Sequence, residues 1–258
     1  MIVDICTPTP LHFCSIARTF ISLVNFDFCL NEQQIPTMDI ETSNIPTIQI
    51  ENIGSRKKPL YAIKGSIELA TWTNYFLYDE SYKLIQDKVV TNGRINLWIG
   101  NAITSAGSFQ ISQAQVNAYF YLVDHQQQIK ASIIENLKKK FPDLLSNEYA
   151  SWEQREPYFP NVSALTPAFD FMNYIGPESI SIHDDVKDEL AYVTWNFRCR
   201  WDIEHGFGVI THKDRIIDIA PTVDIWKIYK DNGTYNQARK EYQEKERTLP
   251  KKKKWWQF

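Results

Sequence analysis

From Ser112 onward the inward-facing residues fall at steps of three and four: Ala114, Ala118, Leu122, His125, Ile129, Ile133, Leu137 and Phe141. That period places them on one face of an α-helix, and so apolar a face must lie on a core. Ser112 and Gln115 have capping-box spacing, in which the serine hydroxyl accepts an orphan amide hydrogen and the glutamine reaches back to the cap. Lys138, Lys139 and Lys140 suit the negative end of the helix dipole, and Pro142 is expected to stop the run. The expectation is one helix of about thirty residues, about 45 Å long at its usual rise per residue. His125, on the inner stripe, is expected to be a hydrogen-bonded core histidine.

Strands flank this helix. Residues 45–101 hold IPTIQIENI, LYAIKGSIELATW and RINLWIG, rich in β-branched and aromatic residues and bounded by turn chemistry. Asn92-Gly93 tolerates the positive φ of a tight hairpin. In the last third, Trp195, Phe197, Cys199 and Trp201 alternate with Thr194, Asn196, Arg198 and Arg200, a period of two with one apolar face. A strand at Phe207 to Thr211, a turn at Lys213-Asp214 and a strand at Arg215 to Ile219 follow. The fold class is therefore α+β: an antiparallel sheet system, with a β-meander in the C-terminal third, packed against one long α-helix.

Residues 1–37 differ in texture from the rest, and Met38 is a second plausible start. They read as a weakly ordered N-terminal extension, the alternative being that Phe20 to Leu30 packs as an extra strand or helix. Residues 38–235 form a single α+β domain, and 236–258 a charged helix with a lysine-aromatic tail. The proline-bearing segment 142–176 is a long connection, helical in parts or irregular throughout.

Lys+Arg 28 against Asp+Glu 31 leaves a net charge of −3, which disfavours the basic footprint that nucleic acid demands. Glycine, 9 of 258 residues, is too sparse for phosphate-cradling loops, and neither G-x-x-x-x-G-K-(S/T) nor G-x-G-x-x-G occurs. The rings of Trp195 to Trp201 alternate with the arginines and so face away from them, which favours a core over a base-stacking platform. Four cysteines, Cys6, Cys14, Cys29 and Cys199, have no C-x-x-C spacing, so a reducing, cytoplasmic location is expected. The opening carries Asp4 where a signal peptide needs positive charge, and no apolar run approaches the ~18 residues of a membrane helix. Lys251, Lys252, Lys253, Lys254, Trp255 and Trp256 have the composition of a contact for an anionic membrane surface or a phosphate-bearing partner; otherwise the lysines are solvated and the rings tuck back.

Glu204-His205-Gly206 is expected at a reversal between strands, with Asp202 just before it. A carboxylate beside an imidazole, on a turn whose glycine lets backbone approach a ligand, can transfer protons. Adjacent strand residues point to opposite faces, so the alternative is structural: Gly206 and Gly208 supply unusual dihedrals, Asp202 or Glu204 holds turn amides, and His205 bonds a carbonyl. For a metal the candidates are His183, Asp184, Asp185 and His212, joined in space by Glu204 or His205, but none has ligand spacing. No metal and no cofactor are expected. Elbow and zincin motifs are absent from the sequence.

Residues 197–209, Phe-Arg-Cys-Arg-Trp-Asp-Ile-Glu-His-Gly-Phe-Gly-Val, resemble the signature F-x-C-x-W-D-x-E-H-G-x-G-(V/I) of an uncharacterised bacterial domain family. The run from Ser112 to Tyr119 and the block Ile67 to Trp72 resemble it too, so that the likeness spans about residues 60 to 235, an ordinary domain length. Trp201, Asp202, Glu204, His205, Gly206 and Gly208 are its motif residues. Ala220-Pro221, where the family pattern has glycine, departs from it. The resemblance implies kinship with domains encoded near bacterial toxin and conflict systems, some of which bind and neutralise a toxin, and it brings no catalytic residue. The expectation is a non-enzymatic, protein-binding domain of immunity-like type, its partner a protein such as a toxin, with no nucleic acid and no integral membrane segment. Its rival is a small hydrolase-type or metal-dependent enzyme using Glu204 and His205 as an acid/base pair.

Overall fold

The computed structural model describes residues 45–55, 60–77, 89–103, 110–145 and 169–248, all within one compact unit, Pro36–Phe258. Residues 1–37, most of the proline-bearing connection and the tail from Lys251 to Trp256 lie outside the described residues. The described strands are β1 (Gln49–Asn52), β2 (Tyr61–Glu68), β3 (Phe76–Leu77), β4 (Val89–Val90), β5 (Arg94–Ile103), β6 (Ile175–Lys187), β7 (Leu190–Cys199), β8 (Asp202–His212) and β9 (Arg215–Ala220). The helices are α1 (Gln113–Asp124), α2 (Gln126–Leu145), α3 (Trp226–Asp231) and α4 (Tyr235–Thr248), with 3-10 turns at Ala70–Trp72 and Phe171–Asn173.

Seven strands form one sheet in the order β1-β2-β5-β6-β7-β8-β9, and β3 pairs with β4 apart from it. The molecule is α+β, but the sheet is not antiparallel throughout. At its centre β5 and β6 run parallel, Leu97 opposite Ile180 and Ile99 opposite Ile182. A parallel neighbour cannot be reached by a hairpin and needs a crossover; α1 and α2 lie in the chain between the two strands. Asn92-Gly93 likewise closes no hairpin between its flanking strands, because β4 pairs with β3 while β5 pairs with β2.

The expected single helix is two. Ser112 accepts from the Gln115 amide at 3.2 Å and completes the capping box of α1. The path then breaks at His125 (φ −112°, ψ 20°), the C-cap of α1. That turn carries His125 off the stripe: it is exposed and stacks on Tyr121, ring centroids 4.2 Å apart, instead of joining the core. Ala118, Leu122, Ile129, Ile133, Leu137 and Phe141 are buried against the sheet. Pro142 does not end α2. It sits exposed inside the last turn, which the buried Phe141 and Leu144 hold on the core at the loss of one solvent-side hydrogen bond.

The sheet thus has two unlike faces. The inner one presents Ile67, Ile95, Leu97, Ile180, Trp195, Phe197 and Val209 to α1 and α2. Aromatic packing continues through Trp72, 5.3 Å from Phe197, through Phe207, stacked on Phe197 at 4.9 Å, and through Trp201, edge-on to Phe141 at 4.9 Å. Such pairs add about 1 kcal/mol each to area burial. The outer face is covered at its β7–β8 end, where Ile228 of α3 packs with Tyr192 and Ile210. α4 buries no side chain; Tyr242 and Tyr235 meet Trp226 edge-on at 5.7 and 5.9 Å.

Candidate functional site

Trp201, Asp202, His205, Gly206 and Gly208 lie at the β7–β8 corner. Cys199 pairs with Asp202 and Phe197 with Phe207, so four residues of β8, 203–206, stand opposite Arg198 alone. This is a β-bulge just after the turn at Arg200-Trp201, so Glu204-His205-Gly206 lies inside β8 and not at the reversal itself. Gly206 has φ 67°, and a Cβ there would stand 2.0 Å from the Phe197 carbonyl oxygen. Only glycine satisfies both demands. At Gly208 a side chain would meet Val223, on the segment leading to α3, at 2.7 Å.

Asp202 is the carboxylate that meets His205. It is 6% exposed, and one oxygen accepts both the His205 backbone amide at 2.9 Å and His205 Nδ1–H at 3.0 Å. The bulge makes this i, i+3 contact possible; in a regular strand the two side chains would lie on opposite faces. The imidazole is 39% exposed. The side chain of Glu204 lies outside the described residues. Chemically, a buried carboxylate on Nδ1 fixes the tautomer and ring plane of a histidine, an arrangement that serves acid-base catalysis and loop fixation alike.

Of the metal candidates, His183, Asp184 and Asp185 stand on a second bulge, in β6, where the register with β7 shifts between Ile182 and Val186, and His212 ends β8. His183 shares a hydrogen bond with Thr194 Oγ1 at 2.7 Å, and burial pushes its pKa down to about 4 against the opposing pull of Asp184. Burial, then Asp184, raises the Asp185 carboxyl. Gln115 donates to the His183 carbonyl at 3.2 Å and to Asp184 at 2.9 Å, tying α1 to the bulge. His212 Nε2 donates to the Lys187 carbonyl at 2.8 Å and lies against Tyr192. Among the described residues no group of three histidine, cysteine or carboxylate side chains is arranged to hold a metal ion.

Beside these stands a cluster that the sequence did not announce. Asp231, at the end of α3, accepts from Tyr192 Oη at 2.6 Å, Arg215 Nη2 at 2.7 Å and Lys187 Nζ at 3.1 Å. These donors, the guanidinium first, hold its carboxyl far below the ordinary range, while burial and the same carboxylate raise the Tyr192 phenol. Four segments contribute, so no local spacing could reveal it.

The part of the outer face away from α3 is polar and laid out in register: Ser66 opposite Asn96, Asn96 opposite Ser179, Ser179 opposite Asn196; then Lys64, Trp98, Ser181 and the buried Thr194 in the next row. Asn196 Nδ2 donates to Ser179 Oγ at 3.0 Å, Arg94 Nε to Ser66 Oγ at 3.0 Å and Arg198 to Glu178 at 2.7 Å. The Lys64 ammonium stands 4.2 Å from the Trp98 ring centroid. Asn96 is exposed and Trp98 half-buried. Period-two alternation of β5 in the sequence holds the signal for this face, but without the β5–β6 pairing its rows could not be assembled.

The described residues thus form an α+β domain, a seven-stranded, mostly antiparallel sheet with helices packed on it. The family model described as a domain of unknown function (DUF6985) matches residues 72–226, and the chain belongs to that family. Neither a curated protein nor a solved structure matches it. The matched stretch runs from the 3-10 turn to the start of α3 and contains the corner, both bulges, Asn96 and Trp98. No helix among the described residues is long and apolar enough to cross a membrane.

Proposed function

We propose that the chain is a non-enzymatic protein-binding domain, an immunity-like component of a bacterial toxin or conflict system acting in the cytoplasm, and that its partner docks on the outer face around Trp98. A contrast between polar groups supports this. Asp202 with His205, His183 with Thr194 and the Asp231 cluster spend their hydrogen bonds on their own fold. Asn96 and Ser181 carry no side-chain bond to another described residue, and they flank a half-buried tryptophan on the outer face. Tryptophan and arginine are the side chains on which protein interfaces concentrate their energy, and Arg94 is at hand, 59% exposed. The charges there pair off, Lys64 with Glu51, Arg94 with Glu68 and Arg198 with Glu178, so the partner surface is neutral and hydrogen-bonding rather than strongly charged.

The test is co-expression with the product of the adjacent gene in the source genome, followed by calorimetric titration of the purified pair. Binding that Trp98→Ala weakens at least tenfold, roughly 1.4 kcal/mol, supports the proposal. No binding, or binding indifferent to Trp98→Ala and Asn96→Arg together, defeats it.

The 3.0 Å contact between Asp202 and His205 favours one alternative, an enzyme in which His205 moves protons and Asp202, in place of the expected Glu204, orients it. Turnover of ester or phosphoester panels lost in His205→Ala with an unchanged melting curve would establish it.

A further inference from the structure

The chain has two Asn-Gly steps, Asn92-Gly93 and Asn232-Gly233, and they sit in opposite surroundings. In each the asparagine Oδ1 accepts the backbone amide two residues on, from Arg94 at 2.9 Å and from Thr234 at 3.0 Å. After Asn92 the next peptide is locked. Gly93 N–H donates to the buried Thr91 Oγ1 at 3.0 Å, its carbonyl accepts from Leu69 at 2.7 Å, and a Cβ there would stand 2.9 Å from Thr73 Oγ1. Asn232-Gly233 joins α3 to α4 and is held far less. Gly233 is exposed, its N–H has no acceptor among the described residues, and no atom lies within 4 Å of where its Cβ would be. Asn232 Oδ1 meanwhile takes a second donor, the Thr234 hydroxyl, at 2.7 Å.

We propose that Asn232 is a self-modification site, where attack by the Gly233 main-chain nitrogen converts the asparagine to aspartate or isoaspartate and so loosens α4. The nitrogen attacks once it has given its proton to water, and a solvated N–H without a protein acceptor gives it up far more readily than one held in a hydrogen bond. Ring closure needs the Gly233 peptide to swing about Asn232 ψ, which is −2°, and with no Cβ at Gly233 and no neighbour around it the swing meets no packing. As the bond from Gly233 N to Asn232 Cγ forms, the side-chain carbonyl oxygen gathers negative charge, and the Thr234 amide and hydroxyl already point their hydrogens at it. The bond from Cγ to the side-chain nitrogen then breaks. That nitrogen keeps the electron pair, takes a proton from water in place of the one Gly233 gave up, and leaves as ammonia. A water molecule opens the cyclic imide at either carbonyl, giving aspartate or, with the main chain rerouted through the side-chain carbons, isoaspartate. One water is consumed, one ammonia is released, and nothing is oxidised or reduced. Isoaspartate lengthens the main chain between α3 and α4. Since α4 buries no side chain and meets α3 through Tyr235 and Tyr242 against Trp226, a shifted junction frees it.

The experiment ages the full chain at neutral pH and 37 °C, folded and in guanidinium chloride, and follows the one-dalton gain at each Asn-Gly step by peptide mass spectrometry. In the folded chain Asn232 is expected to convert about tenfold faster than Asn92, and in denaturant the two rates should come together, because only the fold tells the steps apart. Hydrogen exchange across Tyr235–Thr248 should rise in the aged natural chain relative to the fresh one. Aged Asn232→Gln, whose longer side chain does not close the same ring, should match its own fresh sample. A folded rate at Asn232 no greater than that at Asn92, or a rate ratio that denaturant leaves unchanged, would overturn the proposal. So would conversion at Asn232 with no rise in exchange across α4.

Discussion

Asp202, His205 and Gly206 show how a corner of sheet is fixed by three residues with separate tasks. Asp202 collects the amide and the ring nitrogen of His205, and Gly206 lets β8 pass the Phe197 carbonyl. Gly206→Ala combines a positive φ with a contact that requires the backbone to move, so denaturant unfolding should show a loss of about 3 kcal/mol or more. His183 gives a pH signature. Its folded pKa, about 4, lies below the 6.5 of the free side chain, so the unfolded chain takes up its proton first as pH falls. The His183 contribution is therefore complete above about pH 6.5 and lost on the way down to about pH 4, amounting to at most about 3 kcal/mol. Urea melts at pH 7 and pH 4.5 should show that His183→Gln flattens this limb; an unchanged slope would show that His183 does not produce it.

The helices and bulges were legible to different depths. Ser112, Gln115 and the inner stripe announce α1 and α2, since capping and periodicity are local. The break at His125 was not announced, because a histidine fits an amphipathic stripe and only packing showed that the helix axis turns there. Pro142 misled for the converse reason: its local penalty was outweighed by the burial of Phe141 and Leu144. The short α3 owes its position to Asp231, Ile228 and the Asp218 carboxylate, which receives the Asp224 amide at 3.0 Å and the Lys227 ammonium. Breaking so well-satisfied a cluster leaves Arg215 and Lys187 without their counter-charge, and Asp231→Asn should cost about 3 kcal/mol at pH 7. The Asp231 carboxyl is depressed in the folded protein, so the advantage of the natural chain is full above about pH 4 and disappears on further acidification. Hydrogen exchange across Trp226–Asp231 should rise in the variant before that of β7.

In the whole molecule the sheet divides structure from candidate function by its faces. Trp195 and Trp98 stand on opposite sides: the first is wholly buried and the second half-buried. Truncating Trp195 to alanine should cost about 4 kcal/mol, whereas Trp98→Ala should cost about 1 kcal/mol in thermal or denaturant melts, its main effect falling on partner binding. An equal loss at both positions would mean that the outer face is core and not an interface.

By itself the sequence determined what is written within a turn or a strand: the capping box, the buried alternation from Trp195 to Cys199, and the glycines of the corner, because each depends on dihedrals and periods a few residues long. Only the tertiary structure decided that β5 and β6 lie parallel, that Asp202 reaches His205, and that Lys187, Tyr192, Arg215 and Asp231 share one charge cluster. Those contacts join residues from separate strands and helices, and their energies exist only once burial has brought the segments together and removed the water between them.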